Sequence, residues 1–399
     1  MGKSKRPRAS SLAAAMVGKA ALAVAAAAPT SMPAPADLPA VAELPNPFVF
    51  RDGRPLRDPN DWPRRRAELL EMILHYEYGP LPPRPEKTVG TELASREGPG
   101  GSTRRQFRLT AGAGEGVSFA LALTVPKGTG PFAVVLRGDL CWGAAADDIA
   151  AEVVRRGYIL AEFDRTRVAP DAAGRDKGIY AACRDWHGGA LSAWAWGFHR
   201  CVDFLTALPV VDARRIAVTG HSRGGKAALL AGATDERIAL TAPNNSGCGG
   251  AGCFRFQAPG SEDIAAITKR FPFWFARDFG QFVGRVEKLP FDQHSLKVAV
   301  APRALLSSEA LGDLWANPEG TWHTYRAARE VYRFLGAADR IGIVYRPGGH
   351  KQGLEDWKVL LDFADRELMG RKVRRDFQAP MFADSPSPFS WSAPARAKQ

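Results

Sequence analysis

Cysteine is scarce in this chain: 399 residues hold five, at positions 141, 183, 201, 248 and 253. The count is odd, so at least one thiol has no partner within the chain, and no Cys-x-x-Cys pair occurs. That pattern argues against a zinc ribbon or a thioredoxin-type redox site. Cys248 and Cys253 are close enough in sequence to pair, although a buried thiol is the plainer expectation. Long apolar runs are missing too. Past the N-terminus no stretch of roughly eighteen uncharged apolar residues occurs, so no membrane span is expected. No internal repeat is visible, which excludes solenoids and propellers. Lys and Arg outnumber Asp and Glu by 54 to 42, a net charge of +12. Yet no basic helix, zinc-finger spacing or RNP-like motif gathers that charge. A nucleic-acid partner is therefore not expected. The excess reads as a solvated surface suited to polyanions.

The ends of the chain have their own composition. A basic head with Lys3, Lys5, Arg6 and Arg8 precedes an Ala/Val/Leu-rich stretch from Leu12 to Ala28, interrupted by Lys19, with Ala-x-Ala options near Ala26 to Ala28. Residues 1–28 read as a signal peptide, which predicts a secreted or periplasmic protein. Residues 29–46 are rich in Pro and Ala and read as a linker. Residues 379–399 are rich in Pro, Ser and Ala and are expected to be a disordered tail. That leaves 47–378 as one domain, a length that α/β enzymes reach without dividing.

Within that domain the hydrophobic period changes. Trp62 to Tyr78 has helical spacing through Leu69, Leu70, Ile73, Leu74 and Tyr76. Residues 87–127 alternate polar and apolar, as antiparallel strands do. Strand and helix then alternate: Phe132–Leu136, a helix over 147–156, Tyr158–Phe163, a helix over 194–205, Ile216–Val218, Ile238–Thr241, Ala304–Leu306, Ile341–Tyr345 and a closing helix over 354–368. This order predicts a mostly parallel sheet sandwiched between helices.

Gly220-His221-Ser222-Arg223-Gly224 sits at one of those strand-to-helix junctions. A Gly-x-Ser-x-Gly in that context is a nucleophile elbow, and it predicts the three-layer α/β-hydrolase fold with Ser222 as nucleophile. A base is then expected late in the chain, on a loop after the last strand. His350, behind Pro347-Gly348-Gly349, fits better than His75, His187, His199, His294 or His323. His221 adjoins the serine, but its side chain is expected to point elsewhere. An acid is expected between serine and histidine in chain order. Asp313 is preferred, with Glu309 as the alternative. Arg223 supplies an amide, and its guanidinium is a further oxyanion donor. Lys226, one helical turn on from Ser222, faces the same mouth. No metal or cofactor is called for.

The segments around these residues resemble the glucuronoyl esterases of carbohydrate esterase family 15. The resemblance runs from Gly220-His221-Ser222-Arg223-Gly224-Gly225-Lys226 through Ser246-Gly247-Cys248-Gly249-Gly250, Phe271-Pro272-Phe273-Trp274-Phe275 and Leu289-Pro290-Phe291-Asp292-Gln293-His294. It continues to Asp313-Leu314-Trp315-Ala316-Asn317-Pro318 and Gly348-Gly349-His350, and covers roughly residues 45 to 370. It implies hydrolysis of esters between 4-O-methyl-glucuronic acid on xylan and lignin alcohols, without a metal. It also implies an oxyanion role for Arg223 and sugar contacts by Lys226, Glu262 and Trp315. In fungal members the acid is a glutamate just before Ser-Gly-x-Gly-Gly. Asn245 stands there in this chain, which moves the acid to the later loop. His221 and Lys351 stand where the resemblance would place a disulfide. An acetyl-xylan or other carbohydrate esterase, or an inactive carbohydrate-binding relative, remains the alternative reading. The loop over 165–190, with Trp186 and His187, is expected to shape the alcohol side.

Overall fold

Alternating and run-on apolar segments dictate two kinds of strand, and both occur in one sheet. A computed structural model describes residues 32–112 and 116–395; the expected signal peptide lies outside them. Among the described residues the strands are β1 (Thr88–Glu97), β2 (Thr103–Ala111), β3 (Val117–Val125), β4 (Phe132–Arg137), β5 (Tyr158–Phe163), β6 (Val211–His221), β7 (Leu240–Asn244), β8 (Ala304–Ala310) and β9 (Ile341–Arg346). Their order across the sheet is β1-β2-β3-β5-β4-β6-β7-β8-β9. The first three pair antiparallel, and β3 meets β5 antiparallel. From β5 to β9 every pairing is parallel. The alternation in β2 and β3 puts Phe107, Leu109, Phe119, Leu121 and Leu123 inward. The parallel strands β5 and β7 are buried along their whole length, because helices cover both faces.

Two helices, Asp147–Arg155 and Leu354–Met369, cover one face. Their Ile149, Val153, Trp357, Leu361 and Phe363 form a continuous core with Val135, Leu160, Ala217, Leu240 and Leu306. The helices Ala190–Leu205, Arg223–Thr234 and Pro318–Phe334 cover the other face. The helix expected over 62–78 is α-helical over Trp62–Ile73 and widens to a π-turn over Leu74–Tyr78, which buries Tyr76, Glu77 and Tyr78.

Two expectations about the ends are corrected. Of the segment read as a linker, residues 33–46 pack on the body, with Leu38 and Leu44 buried. The segment read as a disordered tail is placed against it as far as residue 395. Leu44 N–H donates to Pro388 O, Trp391 Nε1 donates to Leu44 O at 2.6 Å, and Ser390 Oγ donates to Glu43 Oε2 at 2.8 Å. The physical reason is that Phe389 and Trp391 have apolar surface to bury against Leu44 and Cys253. The proline content of the segment masks Phe389 and Trp391, whose burial decides its place.

Candidate active site

Four neighbouring parallel strands end on one side of the sheet, and each is followed within a few residues by a polar side chain of interest. Ser222 follows β6, Asn245 follows β7, Asp313 comes shortly after β8 and His350 shortly after β9. This is where open α/β sheets place their ligands, beyond the carboxyl ends of the strands.

Ser222 has φ 54° and ψ −122°, a backbone conformation that a serine adopts only under constraint. The constraint comes from the glycines around it. A Cβ on Gly220 would lie 2.4 Å from Gly224 O, and one on Gly224 would lie 1.9 Å from Asp139 Oδ1. Strand and helix therefore meet backbone to backbone. The helix Arg223–Thr234 starts directly after the serine. Its first N–H groups and its positive dipole end lie where an oxyanion would form.

His350 Nδ1 lies 2.5 Å from Asp313 Oδ2, and Asn245 Nδ2 donates to the same oxygen at 2.7 Å. Burial alone would raise the Asp313 carboxyl, but these two hydrogen bonds and the charges of His350 and His221 together outweigh it and hold the group below the usual aspartate value. An ionised Asp313 keeps the proton on Nδ1 and leaves Nε2 of His350 as an acceptor. Glu309 is not brought to the histidine. It sits on β8, 1% exposed, and among the described residues neither carboxylate oxygen has a hydrogen-bond partner. Burial drives its pKa well above the ordinary glutamate value, Lys297 opposing that shift. Asn245 is thus not an empty acid position. It is a second donor to the acid on the neighbouring loop.

His221 departs from expectation. Its ring lies beside His350 with centroids 4.4 Å apart, and its Nδ1 is 2.7 Å from Asn244 Oδ1. Burial, and then the neighbouring His350, lower its pKa. All five cysteines are free, and Cys248 and Cys253 are buried thiols.

Arg223 reaches over an aromatic floor, with its guanidinium carbon 4.8 Å from the Trp274 ring centroid and 5.0 Å from that of Phe271. Asp171 Oδ2 accepts from Arg223 Nη1 at 2.6 Å, while Asp171 Oδ1 accepts from Trp274 Nε1 at 2.7 Å. Sequence reading missed Asp171. It is 52 residues from Arg223, and no local pattern marks it. Arg223 Nε is buried and has no partner among the described residues.

Ser222, Arg223, Lys226, Glu262, Trp315 and His350 line one cavity of about 240 Å³, a size suited to a single sugar ring. Lys226 is 4% exposed, and its Nζ donates to Ser246 O and Cys248 O, both at 2.5 Å. An ammonium has three donors, so one remains. Burial lowers the lysine's pKa and raises that of Glu262, and each group moderates the other's shift. Trp315 is 46% exposed and forms part of the cavity wall. Its backbone O accepts from the Glu262 N–H. A larger cleft of about 790 Å³ lies beyond Asp171, lined by Asp164, Arg167 and Lys177 among others. Its described lining has no histidine to serve as a base, so the smaller cavity is the candidate site. Trp186, expected to shape the site, is not part of this cavity's lining. That ring is 7% exposed, stacks on Tyr180 and donates to Pro80 O.

A strained serine between a parallel strand and a helix, on a sheet of this order, defines the α/β-hydrolase class. The family model for fungal glucuronyl esterases matches residues 110–336, more than half of the chain. A 4-O-methyl-glucuronoyl methylesterase 1 from Phanerochaete chrysosporium is 34% identical over 322 residues, which span 76% of this chain and 64% of that protein. Among solved structures, a carbohydrate esterase family 15 glucuronoyl esterase from Caldicellulosiruptor kristjansonii superposes with a TM-score of 0.78. Identity is 32%, over 90% of this chain and 99% of that one. A mutant glucuronoyl esterase from Sporotrichum thermophile, in complex with methyl 4-O-methyl-beta-D-glucopyranuronate, superposes with a TM-score of 0.70. Identity is 27%, over 84% of this chain and 90% of that one. The chain belongs to the glucuronoyl esterase family.

Proposed function

We propose that this protein hydrolyses esters of glucuronic acid, or of its 4-O-methyl ether, of the kind that join glucuronoxylan to lignin alcohols. Ser222 Oγ attacks the ester carbonyl carbon while His350 Nε2 takes its proton. Asp313 holds Nδ1 and stabilises the imidazolium. The carbonyl oxygen becomes an oxyanion beside the Arg223 guanidinium and the first amides of the helix, where a single donor is worth about 3–4 kcal/mol in the transition state. The C–O bond to the alcohol breaks, His350 returns the proton to the leaving oxygen, and water then cleaves the acyl-enzyme by the reverse sequence of proton transfers.

The observation that carries this reading is the single cavity shared by Ser222, the Asp313-bound His350, and the Lys226–Glu262 pair. A buried cation beside a buried carboxyl, rimmed by an exposed tryptophan, suits a hydroxylated ring whose carboxyl points at the serine. Trp315 presents a flat apolar face for such a ring. A relative's complex with a methyl glucuronate ester supports the same substrate class. The test is hydrolysis of benzyl glucuronate against 4-nitrophenyl acetate. Glucuronate esters should be turned over, and Lys226 and Glu262 should matter for them alone. Preference for the acetate, with no dependence on Lys226 or Glu262, would favour an acetyl-esterase instead. Export is part of the proposal, resting on the N-terminal composition. N-terminal sequencing of protein recovered from the periplasm or the medium tests it. Among the described residues no helix is long and apolar enough to cross a membrane.

A further inference from the structure

The loop that carries His350 has almost no regular structure of its own, yet its histidine must hold a 2.5 Å contact with Asp313. One side chain gathers that loop. Arg346, the last residue of β9, donates from Nη1 to Pro347 O at 3.0 Å and from Nη2 to Gly349 O at 3.3 Å. Its Nη2 also donates to Lys351 O. The last two carbonyls belong to the residues immediately before and after His350. The fork is fixed in turn by Asp356, 5% exposed, whose Oδ1 accepts from Arg346 Nε at 2.6 Å. Asp356 is itself anchored, since its Oδ2 accepts from the Gly353 N–H at the start of the closing helix. Asn244 extends the arrangement to the nucleophile side. Its Nδ2 lies 3.4 Å from Asp356 Oδ1 and its Oδ1 2.7 Å from His221 Nδ1, while its backbone O accepts from the Ser222 N–H. The acid loop is tied in through Leu311 N–H to Arg346 O and Gly312 N–H to Gly348 O.

We propose that Arg346, held by Asp356, is a positioning residue for His350: a non-covalent clasp that closes the chain on both sides of the base and keeps its ring on Asp313. This builds on the reading of His350 as the general base. The guanidinium suits the task because it offers five donors in a rigid plane. Three of its bonds fix three carbonyls of a loop that would otherwise sample many conformations. A lysine has no fork and can reach fewer of them. Arg346 is not among the residues lining the sugar cavity, so its loss should alter the chemistry and leave substrate binding alone.

The experiment compares wild type, Arg346→Lys and Arg346→Ala at a temperature well below each protein's own Tm. Two rates are read: hydrolysis of benzyl glucuronate, and phosphonylation of Ser222 by a serine-directed fluorophosphonate. A misplaced base costs on the order of 10²-fold per ångström. Arg346→Ala is therefore expected to lower kcat by about 30-fold or more, with KM within about 2-fold, and to slow phosphonylation by a similar factor. Arg346→Lys is expected to be intermediate, and added methylguanidinium should restore part of the alanine variant's rate. A lowered Tm with kcat and phosphonylation unchanged would overturn the proposal, leaving a purely structural clamp. So would an equal rise in KM with kcat intact. Should the alanine variant fail to fold, the lysine variant carries the same split. If wild type is phosphonylated in an Arg346-dependent way yet leaves glucuronate esters intact, the clasp stands and the substrate assignment falls.

Discussion

Replacing Asp313 with asparagine keeps the volume and removes the charge opposite His350, and the structure says how much should be lost. Two donors, His350 Nδ1 and Asn245 Nδ2, converge on the same oxygen, Oδ2. In Asp313→Asn the amide oxygen can occupy that place and accept from both, so the ring keeps its tautomer. What disappears is the attraction between carboxylate and imidazolium. At about 4 Å between charge centres and an effective dielectric constant near 20, that is about 4 kcal/mol. At 1.36 kcal/mol per decade, kcat for benzyl glucuronate should fall by about 10³-fold. The control is Glu309→Gln. Glu309 makes no hydrogen bond to the histidine, so its amide should leave kcat within about 3-fold. Initial rates by chromatographic detection of benzyl alcohol, with a Tm for each variant, give the comparison. Asp313→Asn within tenfold of wild type, or Glu309→Gln as impaired as Asp313→Asn, would refute the assignment of the acid.

Arg223→Met should lower kcat by about 10²–10³-fold with little change in KM, as expected for a donor that acts on the oxyanion. Stopped assays at saturating and limiting substrate separate the two effects. Lys226→Met and Glu262→Gln should each weaken kcat/KM for glucuronate esters by about 10–100-fold, the range for a lost charged hydrogen bond. Hydrolysis of 4-nitrophenyl acetate should stay within a few-fold, and equal losses on both substrates would contradict a sugar-binding role. Glu77 gives a pH prediction. Burial raises its carboxyl to about 8, above its unfolded value of about 4.3. A raised carboxyl contributes stability that is complete below the unfolded pKa and is lost as pH rises through the folded one. Glu77→Gln should therefore gain Tm relative to wild type as pH goes from 5 to 8. A difference that stays flat or shrinks over that interval would contradict the burial argument.

The parts legible in the sequence are those with local causes. Run-on apolar segments read as parallel strands because helices bury both faces. The elbow at Ser222 was legible because the crossing of strand and helix requires glycine at 220 and 224. His350 could be picked out because it alone follows the last strand. Asp313 and Glu309 could not be separated that way. They lie four residues apart around the end of β8, and only the course of the loop sends one to His350 and the other into the core. Asp171, Arg346 and Asp356 were illegible for a different reason. Each acts through long-range hydrogen bonds or an unremarkable loop, and an arginine before a Pro-Gly turn looks like surface charge. Asn245 was read as a loss because its side chain was compared with a carboxylate at its own position. Its partner is on the next loop, where an amide donor helps an acid.

In the proposed mechanism Ser222, activated by His350, attacks the carbonyl of a glucuronate ester bound between Lys226, Glu262 and Trp315. Mass spectrometry of the intact protein, quenched during turnover of benzyl glucuronate, tests it most directly. Wild type should carry a glucuronoyl adduct on Ser222, and Ser222→Ala should yield neither adduct nor benzyl alcohol. Release of benzyl alcohol by Ser222→Ala at a rate near that of wild type would contradict it.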